Sequence, residues 1–159
     1  MDDNLKYYST FFGEGEHYYA ERMYRFLKGR YLSFNFFAFL KGPFWLLYRK
    51  LWVPAIIVFS IYFMLPLFVV VLAVIFNFSQ ISTLLISIFL FAVAAIVMGF
   101  IGNAIYFNYA KRKVQYIVES FDDEPTRLQK LKAFGGTSIL MHILFVLYVL
   151  LVVLLPQIS

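Results

Sequence analysis

Residues 51–110 read LWVPAIIVFSIYFMLPLFVVVLAVIFNFSQISTLLISIFLFAVAAIVMGFIGNAIYFNYA, without one Asp, Glu, Lys or Arg. Roughly 20 apolar residues in a helix cross the hydrocarbon core of a bilayer, so the stretch is long enough for two spans. Leu51 to Phe76 is apolar except for Ser60, Tyr62, Pro54 and Pro66, and is predicted to be the first transmembrane helix. Pro54 falls near its start, where a missing N–H costs little, whereas Pro66 falls inside and predicts a kink. Asn77-Phe78-Ser79-Gln80 is the polar break. Ile81 to Phe107 is then the second span, so that the two form a tight antiparallel hairpin with an uncharged turn. A second uncharged stretch, residues 133–159, holds a third span that opens at Thr137-Ser138 and runs to about Leu155, before Pro156.

Composition agrees with this reading. Hydrophobic residues make up 62% of the 159, and charged residues 14%. An ordinary soluble domain carries about 25% charged residues, so that class is excluded. All 14 Lys and Arg and all 9 Asp and Glu lie in residues 1–50 and 111–132. Three spans put both charged blocks on one face, and basic residues favour the cytoplasmic side. The N-terminus is therefore expected in the cytoplasm and the C-terminus outside. Met1-Asp2-Asp3 opens the chain and no apolar run of span length comes before residue 51, so the first span is expected to serve as its own uncleaved insertion signal. With 0 Cys there is no disulfide, thiolate nucleophile or Cys-ligated metal. The net charge of +5 comes with no basic-aromatic or Gly-rich binding motif, which argues against nucleic acid as a partner.

The charged blocks carry patterns of their own. Val114, Ile117, Val118 and Phe121 recur at helical spacing opposite Arg112, Gln115 and Glu119, so the second span is predicted to continue into water. Asp122-Asp123-Glu124-Pro125 is a stop and a new start, a short helix follows from Pro125 to Phe134, and Gly135-Gly136 ends it. Within residues 1–50, Tyr19, Met23, Phe26 and Leu27 form an apolar stripe flanked by Arg22, Arg25 and Arg30, which predicts an amphipathic helix at the headgroup level. Ser33 to Leu40 and Phe44 to Tyr48, broken by Gly42-Pro43, predict a short helical hairpin too short to cross. The fold class is thus all-α integral membrane: three transmembrane helices preceded by an interfacial helix and a hairpin. Two regions follow, an aromatic-rich cytoplasmic or interfacial one at 1–50 and a membrane domain at 51–159 with a cytoplasmic amphipathic segment at about 108–136.

Phe34-Asn35-Phe36-Phe37-Ala38-Phe39 followed by Gly42-Pro43-Phe44-Trp45-Leu46-Leu47-Tyr48-Arg49-Lys50 resembles the signature of a family of small bacterial inner-membrane proteins classed only as a domain of unknown function. Phe12-Gly13 with Tyr18-Tyr19, then Gly102-Asn103-x-x-Tyr106, then Gly135-Gly136-Thr137-Ser138 are similar to its other landmarks, in order. Members often have Trp where this chain has Phe36, a departure that keeps an aromatic ring. The resemblance implies a multi-span inner-membrane protein and assigns it no reaction.

Candidate sites are few. Gly99 and Gly102 are small residues that let a neighbouring helix approach, and Asn103 can hydrogen-bond across such a contact or line a polar cavity with Tyr106 and Asn108. His142 is the ionisable group inside a predicted span, about 7 Å deep by helical rise. Its readings are a neutral hydrogen bond to Asn103, Tyr106 or the interface, or a proton relay or ligand site. Trp45, Tyr48, Arg49, Lys50 and Trp52 are interface or lipid anchors, with the cationic heads snorkelling to phosphates. His17 with Glu14, Glu16 and Glu21 reads as a solvated helix start. No Ser-His-Asp register, intramembrane carboxylate pair, phosphate loop or His-x-x-x-His pair occurs, so neither catalysis nor a cofactor is expected. The expected role is a non-catalytic accessory or scaffold subunit of a membrane complex, partnered by lipids and by another membrane protein or further copies of itself. The alternative is an oligomeric small-solute or lipid transporter using Asn103 and His142.

Overall fold

The computed structural model describes residues 3–154, leaving aside the side chains of residues 3, 4, 139, 141, 142, 149 and 151–154. Its helices are α1 (Asp3–Phe12), α2 (Glu16–Leu27), α3 (Phe36–Lys41), α4 (Pro43–Tyr48), α5 (Trp52–Phe76), α6 (Gln80–Ser120), α7 (Glu124–Phe134) and α8 (Ile139–Leu154).

The 51–110 stretch forms the predicted hairpin. Asn77 ends α5 in the left-handed region at φ 53°, which Asn tolerates better than most residues. Ser79 then caps α6, its Oγ accepting from the Ser82 N–H at 3.1 Å. The 25 residues of α5 extend about 37 Å and run through Pro66, and the 41 of α6 extend about 62 Å without a break. Both are long and apolar enough to cross a membrane. The 16 described residues of α8 reach about 24 Å, short of the roughly 30 Å of a hydrocarbon core. Where three spans are expected, two helices therefore meet the length among the described residues. The expected C-terminal side, residues 155–159, lies outside them.

Beyond the apolar half, α6 is the mast on which a cap is built. Tyr106, Phe107, Ala110, Val114 and Ile117 are buried along one face of it, against Phe11 and Phe12 of α1, Met23 and Phe26 of α2, and Leu131 of α7. Each large side chain buried this way contributes roughly 1.5–3 kcal/mol. The stripe expected to lie on headgroups is thus turned inward: Tyr19, Met23 and Phe26 of α2 are buried, and only Leu27 stays exposed. The periodicity of an amphipathic helix reports that an apolar cover exists, not whether lipid or protein supplies it. One core draws on residues from Tyr8 to Leu131, so the change of composition at residue 50 is not a packing boundary.

The hairpin α3–α4 forms as predicted and sits between the long helices. The Asn35 Oδ1 caps α3 by accepting from the Ala38 N–H at 3.0 Å. α3 packs along α6, and α4 packs against α5 and α8. Its tip, Gly42, lies against the ring of Tyr62. Tyr62 is ten residues into α5, so the tip reaches about 15 Å along that helix.

α7 is stapled to α1 by carboxylates at its start. Asp123 accepts from the Thr126 N–H at 2.9 Å, and Glu124 pairs with Lys6. The Thr126 contact holds the Asp123 carboxyl below its ordinary 3.8, and Lys6 holds Glu124 below its ordinary 4.5. Groups with lowered native pKa values stabilise the fold above their unfolded values and lose that contribution as pH falls through the lower native ones. Amide protection in the first turn of α7, measured by hydrogen exchange and corrected for intrinsic rates, is expected to stay level from pH 8 to about 5 and to drop below about 4.

Candidate functional site

Four of the sequence landmarks meet around one buried guanidinium. Arg49, just after α4, is 5% exposed. Its Nη1 donates to the Phe12 carbonyl and its Nη2 to the Glu14 carbonyl, each at 3.1 Å. These oxygens lie at and just past the C-terminus of α1, where carbonyls lack intrahelical donors and the helix dipole favours a cation. The guanidinium carbon lies 4.3 Å from the ring centroid of Tyr19, 5.4 Å from Tyr106 and 5.6 Å from Tyr48, and ring faces stabilise a desolvated cation. Phe12 stacks obliquely on Tyr106 at 5.5 Å and on Tyr19 at 5.7 Å, and Trp45 closes the box edge-on to Tyr106 at 5.9 Å.

The Gly135-Gly136 pair closes the far side. The Gly136 N–H donates to the Phe11 carbonyl at 2.8 Å. A Cβ on Gly135 would fall 1.9 Å from that same oxygen, so only glycine allows the approach. Lys50 donates to the Gly135 carbonyl at 2.7 Å and the Ala133 carbonyl at 3.2 Å, completing the end of α7. The Ser138 N–H donates to the Tyr48 carbonyl at 2.9 Å. The Glu14 carboxylate accepts from the Tyr48 hydroxyl at 3.0 Å and the Thr137 hydroxyl at 3.3 Å. Burial raises the Tyr48 phenol above its ordinary value, and Glu14 adds to the rise, so it remains a proton donor through the neutral range.

A polar pair ties the hairpin to α6. Asn103, fully buried, accepts from Asn35 Nδ2 at 2.8 Å and donates to Ser33 Oγ at 2.9 Å. The Asn35 N–H donates to the Gly99 carbonyl at 2.8 Å. A Cβ on Gly102 would stand 2.8 Å from Ala38 Cβ, and one on Gly99 would stand 2.6 Å from the Phe34 ring. The two glycines therefore seat α3, not another span.

The residues singled out in the sequence are placed as follows. Asn103, Tyr106, Gly99 and Gly102 are all buried on α6, where Asn103 serves the hairpin and Tyr106 the Arg49 box. Asn108 is exposed and donates to its own helix at Ala104. The His142 side chain lies outside the described residues. Of the proposed anchors, Trp52 is exposed and Tyr48 half-buried, whereas Trp45 and Arg49 are buried and Lys50 caps α7. Arg49 does not snorkel: two carbonyls and three rings hold it inside. Glu14 is not only part of a solvated helix start, since its carboxylate joins Tyr48 to Thr137, and Asn35, polar within an apolar run, is the partner of Asn103.

Two cavities flank Lys41. One, of about 370 Å³, is lined by Glu14, Tyr18, Tyr48 and Arg49 among others, and the other, of about 640 Å³, by Phe39, Phe44, Phe59, Tyr62, Phe63, Pro66 and Phe91 among others. Lys41 lines both.

A family model described as "Protein of unknown function (DUF2628)" matches residues 10–112. The match takes in the Arg49 box, the hairpin and the Asn103 pair, while Gly135-Gly136 lies beyond it. No curated protein and no solved structure matches the chain.

Removing the Asn103 side chain leaves Asn35 Nδ2 buried without its acceptor, a loss of about 1–3 kcal/mol. In detergent, Asn103→Ala is expected to lower Tm by several degrees, and Asn35→Ala added to it should cost less than it does alone. Equal, additive losses would show that the two amides are not coupled.

Proposed function

The chain belongs to the DUF2628 family, whose function is unknown, and we propose that it is a non-catalytic, multi-pass inner-membrane protein that serves as an accessory or scaffold subunit of a membrane complex. In this reading α5, α6 and α8 are its three spans, the cap and N-terminus are cytoplasmic, and the C-terminus is outside. Lipids and a second membrane protein are its partners in this reading, and lipids and further copies of the chain in the alternative below.

The observation that carries the reading is α6. One helix bears an apolar half whose outer face is open and a basic half wrapped by its own domain. Val74 of α5 is 73% exposed, Phe63 67%, Ile81 of α6 72% and Phe89 65%. Apolar surface this continuous needs lipid or protein around it. At the other end, Lys111, Arg112 and Lys113 follow the last uncharged turn directly, where basic residues favour the cytoplasm. A rigid cap on a membrane mast suits presentation to a partner. A groove of about 480 Å³ on it, lined by Tyr24, Leu27, Val114 and Val118 with Lys28 and Lys111 at its edge, supplies a face for one.

A second reading, transport of a small solute or lipid by an oligomer, is favoured by the aromatic cleft under Lys41.

Native mass spectrometry of the tagged chain, extracted gently from its own membranes, separates the two. The accessory reading expects an unrelated membrane protein in fixed stoichiometry, lost when Leu27→Glu alters the groove with Tm unchanged. Recovery as a bare homo-oligomer contradicts it and supports the transporter.

A further inference from the structure

We propose that the two cavities flanking Lys41 form one site for a single glycerophospholipid with a monoanionic phosphodiester head, its phosphate on the Lys41 ammonium and an acyl chain in the aromatic cleft. The site is independent of whether the chain is an accessory subunit or a transporter, and rests only on the bilayer placement of α5 and α6.

The ammonium is the unexplained group. Lys41 Nζ lies 5.5 Å from the ring centroid of Tyr48, 5.6 Å from Phe145 and 5.9 Å from Phe37, and among the described residues it has no hydrogen-bond acceptor. Ring faces stabilise its charge and leave its three N–H donors unused. It stands at the end of α3, beside the hairpin tip, and lines both the smaller and the larger cavity.

Chemistry changes from one side of Lys41 to the other as it does along an amphiphile. The smaller cavity holds two cations, Lys41 and Arg49, and one carboxylate, Glu14, which already accepts from Tyr48 and Thr137. One net positive charge suits one phosphodiester. The larger cavity is walled largely by phenylalanines and Pro66, and two of its lining residues, Phe63 of α5 and Tyr148 of α8, are exposed. The Tyr62 ring forms part of its wall, with the hydroxyl turned in against Gly42.

Lipid titration of the full chain in detergent, counted by native mass spectrometry, tests this with three ligands: phosphatidylglycerol, phosphatidylcholine of the same chains, and the deacylated glycerophosphodiester. The expected result is one retained phosphatidylglycerol per chain. Its affinity should fall roughly fivefold with Lys41→Gln, the loss of about one basic contact, and return with Lys41→Arg. It should also fall with Ala95→Phe, which fills the larger cavity that Ala95 lines, and be unchanged in Lys132→Gln on α7. Equal binding of phosphatidylcholine, equal binding of the deacylated head, or equal effects of Lys41→Gln and Lys132→Gln would each overturn the site. If Lys41→Gln does not fold, unchanged binding in Ala95→Phe overturns it instead. Carbonate extraction reads the bilayer placement separately. A chain that stays with membranes without this selectivity overturns the lipid site alone, and one that washes off overturns both.

Discussion

A guanidinium taken out of water must find acceptors and a counter-field inside the protein, and the way this chain provides them at Arg49, through Nη1 and Nη2 while Nε stays buried without a partner, organises the cap built on α6. The two free carbonyls at the end of α1 accept from it, and the rings of Tyr19, Tyr48 and Tyr106 surround it. Burying that charge without those partners would be prohibitive. Each partner belongs to a different element, so the arginine can be buried only when α1, α2, α4 and α6 are together. Phe11, whose carbonyl receives Gly136, extends the same constraint to the end of α7.

The hairpin is held by the opposite strategy, contact without charge. Gly99 and Gly102 remove the side chains that would keep α3 away from α6, and the Asn35–Asn103 pair then closes with all of its groups engaged. Because the pair is polar and buried, a register shift would orphan several donors at once, which fixes the depth of the hairpin. That depth brings Lys41 and Gly42 level with Tyr62 of α5 and creates the cleft beneath them.

Much of the architecture is legible in the sequence because it rests on local rules. Uncharged length marks α5 and α6, Asn77 and Ser79 mark the turn between them, and Asp123 and Gly135 mark the ends of α7 to within a residue. What is not legible depends on distant partners. The stripe of α2 has the same period whether lipid or α6 covers it. Arg49 beside Lys50 after an aromatic run has every local mark of a membrane anchor, and only the carbonyls of Phe12 and Glu14, more than thirty residues upstream, make it a core residue. Tyr106 and Asn103, three residues apart on α6, read as one polar site. In three dimensions they serve separate contacts, because α3 packs at the level of Gly99 to Asn103 and α1 from Tyr106 onward.

The landmarks that recur along the chain therefore read first as the parts of a clamp: a carbonyl end, an aromatic box, a close-approach glycine pair and one arginine. On this account the cap is a single cooperative body whose integrity is set at Arg49, while the α5–α6 turn at the far end is independent of it. Hydrogen exchange by mass spectrometry on Arg49→Met in detergent tests this most directly. Loss of protection shared by α1, α2, α4 and α7, with the Asn77 turn unchanged, is the result the account predicts. Loss confined to residues next to position 49 would contradict it.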